Sequence, residues 1–216
     1  MVKAVLFDMD GVLVNTETFY IRALIQVLSQ EIGLELTEEE VERYAGLVYV
    51  EKLRRIFAER DVRADPSELA EKSRKRFLQI ARGNIRLLPG AKELIEQLRS
   101  SGVKLGIVSS SQRKMIDMVL NETNLGGIFD VIIAQEDVKH LKPSSEPYLL
   151  ASKRLELKSQ DCLAIEDSLH GIISAKSAGM KCVAITNPYF SVSKYKEADL
   201  VVKGLYEIEL KTILNL

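Results

Sequence analysis

The chain is poor in cysteine and histidine and has no surplus of either charge. Its two cysteines, Cys162 and Cys182, stand in the strand-like runs "CLAIE" and "KCVAI", with no CxxC and no Cys/His cluster. This argues against a zinc module and predicts two buried free thiols in a reducing compartment, with a disulfide as the second reading. Thirty Lys and Arg face 31 Asp and Glu, a net charge of −1. A balance this even argues against nucleic acid and against an anionic membrane surface as partners. No apolar run approaches the roughly 20 residues of a membrane span. The opening "VKAVLF" is too short and wrongly flanked for a signal peptide. The expected compartment is the cytoplasm. No internal repeat or low-complexity segment is present. His140 and His170 sit in no cluster and read as surface residues or as residues behind a site.

What is present is a rhythm. The 216 residues are enough for one large domain, or for a domain with an insert. Short Val/Ile-rich runs at 4–7, 103–109, 130–134, 162–166, 181–185 and 199–202 read as strands. Helix-period segments at 90–100, 112–121, 145–155 and 168–178 lie between most of them. "SGV" and "AGM" each look like a helix end running into the next strand. This alternation predicts an α/β fold with a parallel sheet covered on both faces. From Thr16 to about Gly83 the rhythm stops, and three or four helices are expected, near 16–32, 37–46, 50–60 and 66–82. Thr37 with Glu40 resembles a capping box, and "DP" at 65–66 a helix start. The expected organisation is a core of residues 1–15 and 84–216 with a helical insert over 16–83.

Ligands of open parallel sheets bind beyond the carboxyl ends of the strands. Asp8, Asp10 and Gly11 follow the first strand, and Ser109 to Ser111 the second. Lys142, before Pro143, follows the third through a loop, and Glu166, Asp167 and Ser168 close the fourth. Paired acids repel unless something compensates for them. Hard oxygen ligands suit Mg²⁺, hydroxyls and free N–H groups at a helix start suit a phosphate, and a lysine adds charge to hold it. This is equipment for phosphoryl transfer, where positioning and charge neutralisation do most of the catalysis. One aspartate can attack phosphorus and the other can move the proton.

Each cluster also has an ordinary reading. "SSS" can cap a helix, Lys142 can be a solvated loop lysine, and Glu166 with Asp167 can complement the dipole of the helix starting near Ser168. A calcium loop at Asp8 needs glycine at its sixth position, where Leu13 stands. The charged stretch 51–76 reads as a solvated helix face. Tyr20, Tyr49 and Lys52 are open between substrate contact and a core or surface role.

The sequence resembles the haloacid dehalogenase-like (HAD) hydrolase superfamily over nearly its whole length. "FDMDGVLVNTE", "GIVSSS", "LKPSSEPYLLA" and "IEDSLHGIISAKSAGM" are similar to its four motifs, in order. Within the superfamily it looks like the β-phosphoglucomutase and phosphoglycolate phosphatase-like branch. The resemblance implies a Rossmann-like core with a helical cap inserted after the first strand. It implies Asp8 as nucleophile and metal ligand, and Asp10 as general acid/base that gives its backbone carbonyl to the metal. Ser109 and the Ser110 N–H would hold phosphoryl oxygens, and Lys142 would neutralise nucleophile and phosphate. Asp167 would ligate Mg²⁺, with Glu166 a ligand or a residue standing behind one.

The expected activity is Mg²⁺-dependent hydrolysis of a small-molecule phosphomonoester through an aspartyl-phosphate, by a monomer or weak homodimer. The alternatives are a phosphosugar mutase and, more remotely, a receiver-like signalling domain, which is about half this length and lacks the insert. A dehalogenase would have no use for Asp10. Four departures stand out: Asn15 for an Asp, Ser145 and Glu146 within the third motif, and Tyr20 and Tyr49 for a His and an Arg of the mutases. The last two favour hydrolysis, since a mutase must grip a second phosphate.

Overall fold

The computed structural model describes residues 2–44, 47–186 and 195–216. The chain divides into two compact units, Met1–Asn15 with Ile85–Leu216, and Thr16–Asn84.

The first unit is built on a six-stranded sheet: β1 (Ala4–Phe7), β2 (Lys104–Val108), β3 (Val131–Ile133), β4 (Cys162–Glu166), β5 (Lys181–Ile185) and β6 (Leu200–Val202). The order is β3-β2-β1-β4-β5-β6 and every pairing is parallel. Every residue of β1 and β4 is buried, as expected of strands covered on both faces. Cys162 and Cys182 lie in this core as free thiols, and burial raises both thiol pKa values. Phe7 lies opposite Ile107 on one side and Ile165 on the other. The register therefore brings the carboxyl ends of β1, β2 and β4 to one level, and the strand order reverses at β1. A crevice at such a reversal is where open α/β sheets bind ligands.

The strands alternate with helices whose apolar faces cover the sheet, namely α5 (Ala91–Ser100), α6 (Arg113–Glu122), α7 (Glu146–Arg154) and α8 (Leu169–Ser177); a short α9 (Leu210–Leu214) follows. Tyr148, Ala151 and Leu155, from α7 and its end, share one core cluster with Leu6, Val108, Ala164 and Ile172.

Among the described residues the second unit has four helices and no strand: α1 (Thr16–Ile32), α2 (Glu38–Glu42), α3 (Tyr49–Arg60) and α4 (Pro66–Ala81). α1 packs most extensively on α4, and Leu24, Leu28, Val41, Leu53 and Ile56 form its core. The capping box is present: the Glu40 N–H donates to Thr37 Oγ1 at 3.2 Å, and the Thr37 N–H to Glu40 Oε2 at 2.8 Å. Asp65 caps α4 through the Ser67 N–H at 2.8 Å, with Pro66 in the first turn. The helix expected over 37–46 stops at Glu42, and residues 45 and 46 lie outside the described residues. The charged stretch forms solvated helix faces with exposed pairs such as Arg55–Glu51 at 3.2 Å, which add little stability.

Candidate active site

Asp8 follows β1 directly, and its N–H donates to Ile165 O at 2.9 Å, which continues the β1–β4 ladder. Gly11 has φ +81°, and a Cβ there would overlap the Asp167 carboxylate. Glycine is thus needed twice at this position, for the left-handed turn and for the approach of Asp167. Asp8, Glu166 and Asp167 each offer a carboxylate oxygen, and these oxygens all lie within 4.8 Å of one another. Asp10 is aimed elsewhere. Its Oδ2 accepts from Ser111 Oγ at 2.8 Å and lies 3.5 Å from Ser109 Oγ.

Lys142 reaches the same edge from the loop before α7. Its ammonium donates to Asp8 Oδ1 at 2.5 Å, Glu166 Oε1 at 2.5 Å and Val108 O at 2.7 Å. An ammonium has three N–H bonds, so these partners account for all of them. The lysine side chain is 5% exposed and Glu166 is fully buried. Burial disfavours the lysine's charge, but the carboxylates of Asp8 and Glu166 outweigh it and hold the pKa above its usual range. Burial pushes Asp8 up to about 8, opposed by Lys142 and reinforced by Glu166 and Asp10. Tyr148 donates to Glu166 Oε1 at 2.7 Å, with its ring centroid 5.2 Å from the lysine nitrogen. Burial, with the Glu166 charge behind it, raises the Tyr148 phenol well above 10, so it remains a donor.

Ser109 is buried, and its Oγ accepts from the Ser111 N–H at 3.0 Å. The Ser110 N–H donates to no protein acceptor among the described residues. Ser168 caps α8 by accepting from the Gly171 N–H at 3.0 Å. Gly171 in turn lies against the Glu166 carboxylate, which a Cβ would overlap.

The edge therefore gathers Asp8, Asp10, Ser109, Ser110, Lys142, Glu166 and Asp167. Sequence reasoning gave no role to three further residues there. Ser111 was visible only as part of "SSS"; Tyr148 was hidden in a helical pattern and Gly171 in a glycine no spacing singles out. The departures also find places. Glu146 opens α7, accepts from the N–H groups of Lys139 and His140 at 2.9 and 3.0 Å, and pairs with the exposed His140 ring. It ties the loop that carries Lys142. Asn15 Oδ1 accepts from the Arg86 N–H at 2.8 Å, an acceptor role an Asp would share. Within the helical unit, Tyr49 donates to Tyr20 O at 3.1 Å and Tyr20 stacks on Phe77 at 4.0 Å. Tyr49 belongs to that unit's core, and the half-buried Tyr20 packs against it. Lys52 lies on the buried face of α3, where burial lowers its pKa against Glu17 and Glu42.

Chemically, three converging carboxylates with one lysine fit a hard divalent cation. Hydroxyls and a free N–H beside them fit a phosphoryl group. The family model for haloacid dehalogenase-like hydrolases matches residues 5–185. Hexitol phosphatase B of Escherichia coli is 27% identical over 218 residues, covering 99% of this chain and 97% of that protein. CbbY from Rhodobacter sphaeroides, crystallised in complex with phosphate, superposes with a TM-score of 0.86 at 27% identity and full coverage of both chains. β-Phosphoglucomutase from Clostridium difficile gives 0.85 at 26% identity, covering 100% of this chain and 96% of that one. With motifs, fold and a family match over most of its length, the chain belongs to the haloacid dehalogenase-like hydrolases.

Proposed function

We propose that this phosphatase hydrolyses a small phosphorylated metabolite, a sugar phosphate or similar, with Mg²⁺ and through an aspartyl-phosphate. The observation that carries the reading is the Lys142 ammonium, shared between Asp8 and Glu166 beside the cluster of acids. Asp8 attacks phosphorus as the ester P–O bond breaks. Attack needs the ionised carboxylate, and Lys142 is the chain's own group that favours it, against burial. Asp10, oriented by Ser111 and Ser109, gives a proton to the departing alkoxide. It then takes one from the water that attacks the aspartyl-phosphate, and inorganic phosphate leaves. Ser109 Oγ and the Ser110 N–H hold phosphoryl oxygens. Asp8, Asp167 and the Asp10 carbonyl would hold Mg²⁺, with Glu166 as a further candidate ligand; the ion supplies positive charge to the transferring phosphoryl group. The helical unit serves as a cap domain that selects the substrate.

Hydrolysis is favoured over mutase chemistry by the tyrosines. Tyr49 is engaged in the core of the helical unit with the half-buried Tyr20 against it, and Tyr49 offers no bidentate cation for a second phosphate. The test is phosphate release from p-nitrophenyl phosphate and from a panel of sugar phosphates with Mg²⁺. It is paired with β-glucose 1-phosphate and its bisphosphate, followed by phosphorus NMR. Multiple turnovers are expected from the wild type and none from Asp8→Asn. Glucose 6-phosphate accumulating faster than inorganic phosphate would overturn the assignment in favour of a mutase.

A further inference from the structure

Glu166 is fully buried, yet Tyr148 and Lys142 both spend a hydrogen bond on the same oxygen of its carboxylate. Among the described residues its other oxygen, Oε2, accepts from Ser168 Oγ alone, at 3.4 Å. The whole carboxylate lies against Gly171, where no side chain intervenes. A buried carboxylate is either paired or drawn to a cation, and the carboxylates of Asp8 and Asp167 offer oxygens within 4.8 Å of it.

We propose that Tyr148 is a positioning residue: its phenol, together with the Lys142 ammonium, commits Glu166 to the lysine and keeps that carboxylate off the metal. The inference rests on the phosphatase reading and deepens it. The phenol belongs to α7, whose first turn is tied back to the lysine loop through Glu146. The tyrosine ring is fully buried and has the lysine nitrogen 5.2 Å from its centroid. One side chain thus restrains both members of the pair, Glu166 by its hydroxyl and Lys142 by its π face. The ammonium has no N–H to spare, because Asp8, Val108 and Glu166 take all three. Its place between Asp8 and Glu166 holds only while Glu166 stays turned to it. Remove the hydroxyl, and Glu166 is freer to turn to the neighbouring cation. That carboxylate then competes with Asp8 at the metal and releases one N–H of the lysine that Asp8 needs.

The experiment is a double-mutant cycle of Tyr148→Phe and Glu166→Gln, read in two ways. Steady-state hydrolysis of p-nitrophenyl phosphate at saturating Mg²⁺ gives kcat and KM, and calorimetry without substrate gives Mg²⁺ affinity. Phe keeps the ring and nearly the volume, so the core around α7 stays filled. Tyr148→Phe is expected to lower kcat about tenfold, leave KM within about twofold, and change Mg²⁺ affinity by about threefold or more towards tighter binding. In the Glu166→Gln background the same change is expected to move neither quantity more than about twofold, because no carboxylate remains to be held. Wild-type kcat and Mg²⁺ affinity in Tyr148→Phe would overturn the proposal. So would an equal loss in both backgrounds, which is the mark of a packing contribution. If the wild type releases phosphate from no ester, the phosphatase reading fails, and the calorimetric cycle still decides for or against Tyr148.

Discussion

Replacing Gly171 with alanine should damage the site from behind. A Cβ at this position would overlap the Glu166 carboxylate, and real Cβ contacts do not fall below 3.0 Å. Either Glu166 or α8 must give. The carboxylate is fully buried and held by Lys142 at 2.5 Å and Tyr148 at 2.7 Å. α8 is anchored by Ser168 at its first turn and by Ile172 and Ala175 in the core. Displacing the carboxylate weakens two hydrogen bonds that involve a charge, each worth about 1.5–3 kcal/mol. Exchanging glycine for alanine inside a helix returns only about 1 kcal/mol. The net cost is about 2–5 kcal/mol. At roughly 2–4 °C per kcal/mol for a chain of this size, melting should fall by about 4–20 °C. Catalysis should fall further than stability alone explains, because Lys142 loses one of its three partners. The assay is a thermal melt plus kcat on p-nitrophenyl phosphate at 20 °C below the mutant's own midpoint (about 20 °C keeps it folded). Gly126→Ala is the control, since a Cβ there meets nothing closer than Asn121 Oδ1 at 4.0 Å. A Gly171→Ala protein that melts and turns over like the wild type would refute the packing of Glu166 described here.

Asp10→Asn should slow both half-reactions, by about 10²–10⁴-fold for poor leaving groups. Good leaving groups should suffer less in the first step, and equal losses measured in aspartyl-phosphate formation would remove Asp10 from the acid role. Chelator should abolish turnover and Ca²⁺ should inhibit it, because Ca²⁺ accepts more oxygens and invites both oxygens of Asp8 onto the ion; equal rates with Ca²⁺ and Mg²⁺ would contradict this. Asp199 is held down to about 2 although burial opposes it, by hydrogen bonds from Lys176, Lys181 and the Cys182 N–H. Its folded pKa is depressed below the usual 3.8, so its contribution is present above about 4 and lost as pH falls towards 2. Asp199→Asn should therefore destabilise the protein at pH 7 and converge with the wild type on acidification, as read by melts across that range.

Local patterns carried the fold in the sequence. The strands at 162–166 and 181–185 and the helix at 16–32 end where composition said they would. In each, period and flanking residues point the same way. The helix after Thr37 is shorter than expected because nothing in "VERYAG" marks a stop that periodicity alone can see. Asp8, Asp10, Ser109, Lys142, Glu166 and Asp167 were legible because a parallel sheet puts its strand ends on one edge. Tyr148 and Gly171 were not, because their meaning is a distance to Glu166 across 18 and 5 positions of chain, and no spacing rule encodes it. Tyr20 and Tyr49 were ambiguous for the opposite reason. An aromatic at helical spacing serves a core as readily as a cleft; in the structure Tyr49 is buried and bonded to Tyr20 O, while Tyr20 is half-buried and stacked on Phe77.

The paired aspartates pose a question of charge, and the site answers it in integers. Asp8, Asp10, Glu166 and Asp167 carry four negative charges when ionised, and Lys142 returns one, which leaves −3 at a largely buried edge. No such sum is stable without water. A divalent cation held at Asp8 and Asp167 would bring it to −1, and a proton on Asp10 would bring it to zero. The acid cluster and the proton carrier are in this sense one device. In the proposed reaction the neutral site would admit a phosphate ester, whose own charge would meet Lys142 and the Ser110 N–H. Asp10, on giving its proton to the leaving alkoxide, would leave a negative charge beside the aspartyl-phosphate. That charge would favour taking a proton back from water, the step proposed to free the phosphate. A chain built only to be phosphorylated would have no need of Asp10, and it is Asp10, its carboxylate held by Ser111 and Ser109 and apart from the acid cluster, that argues for turnover.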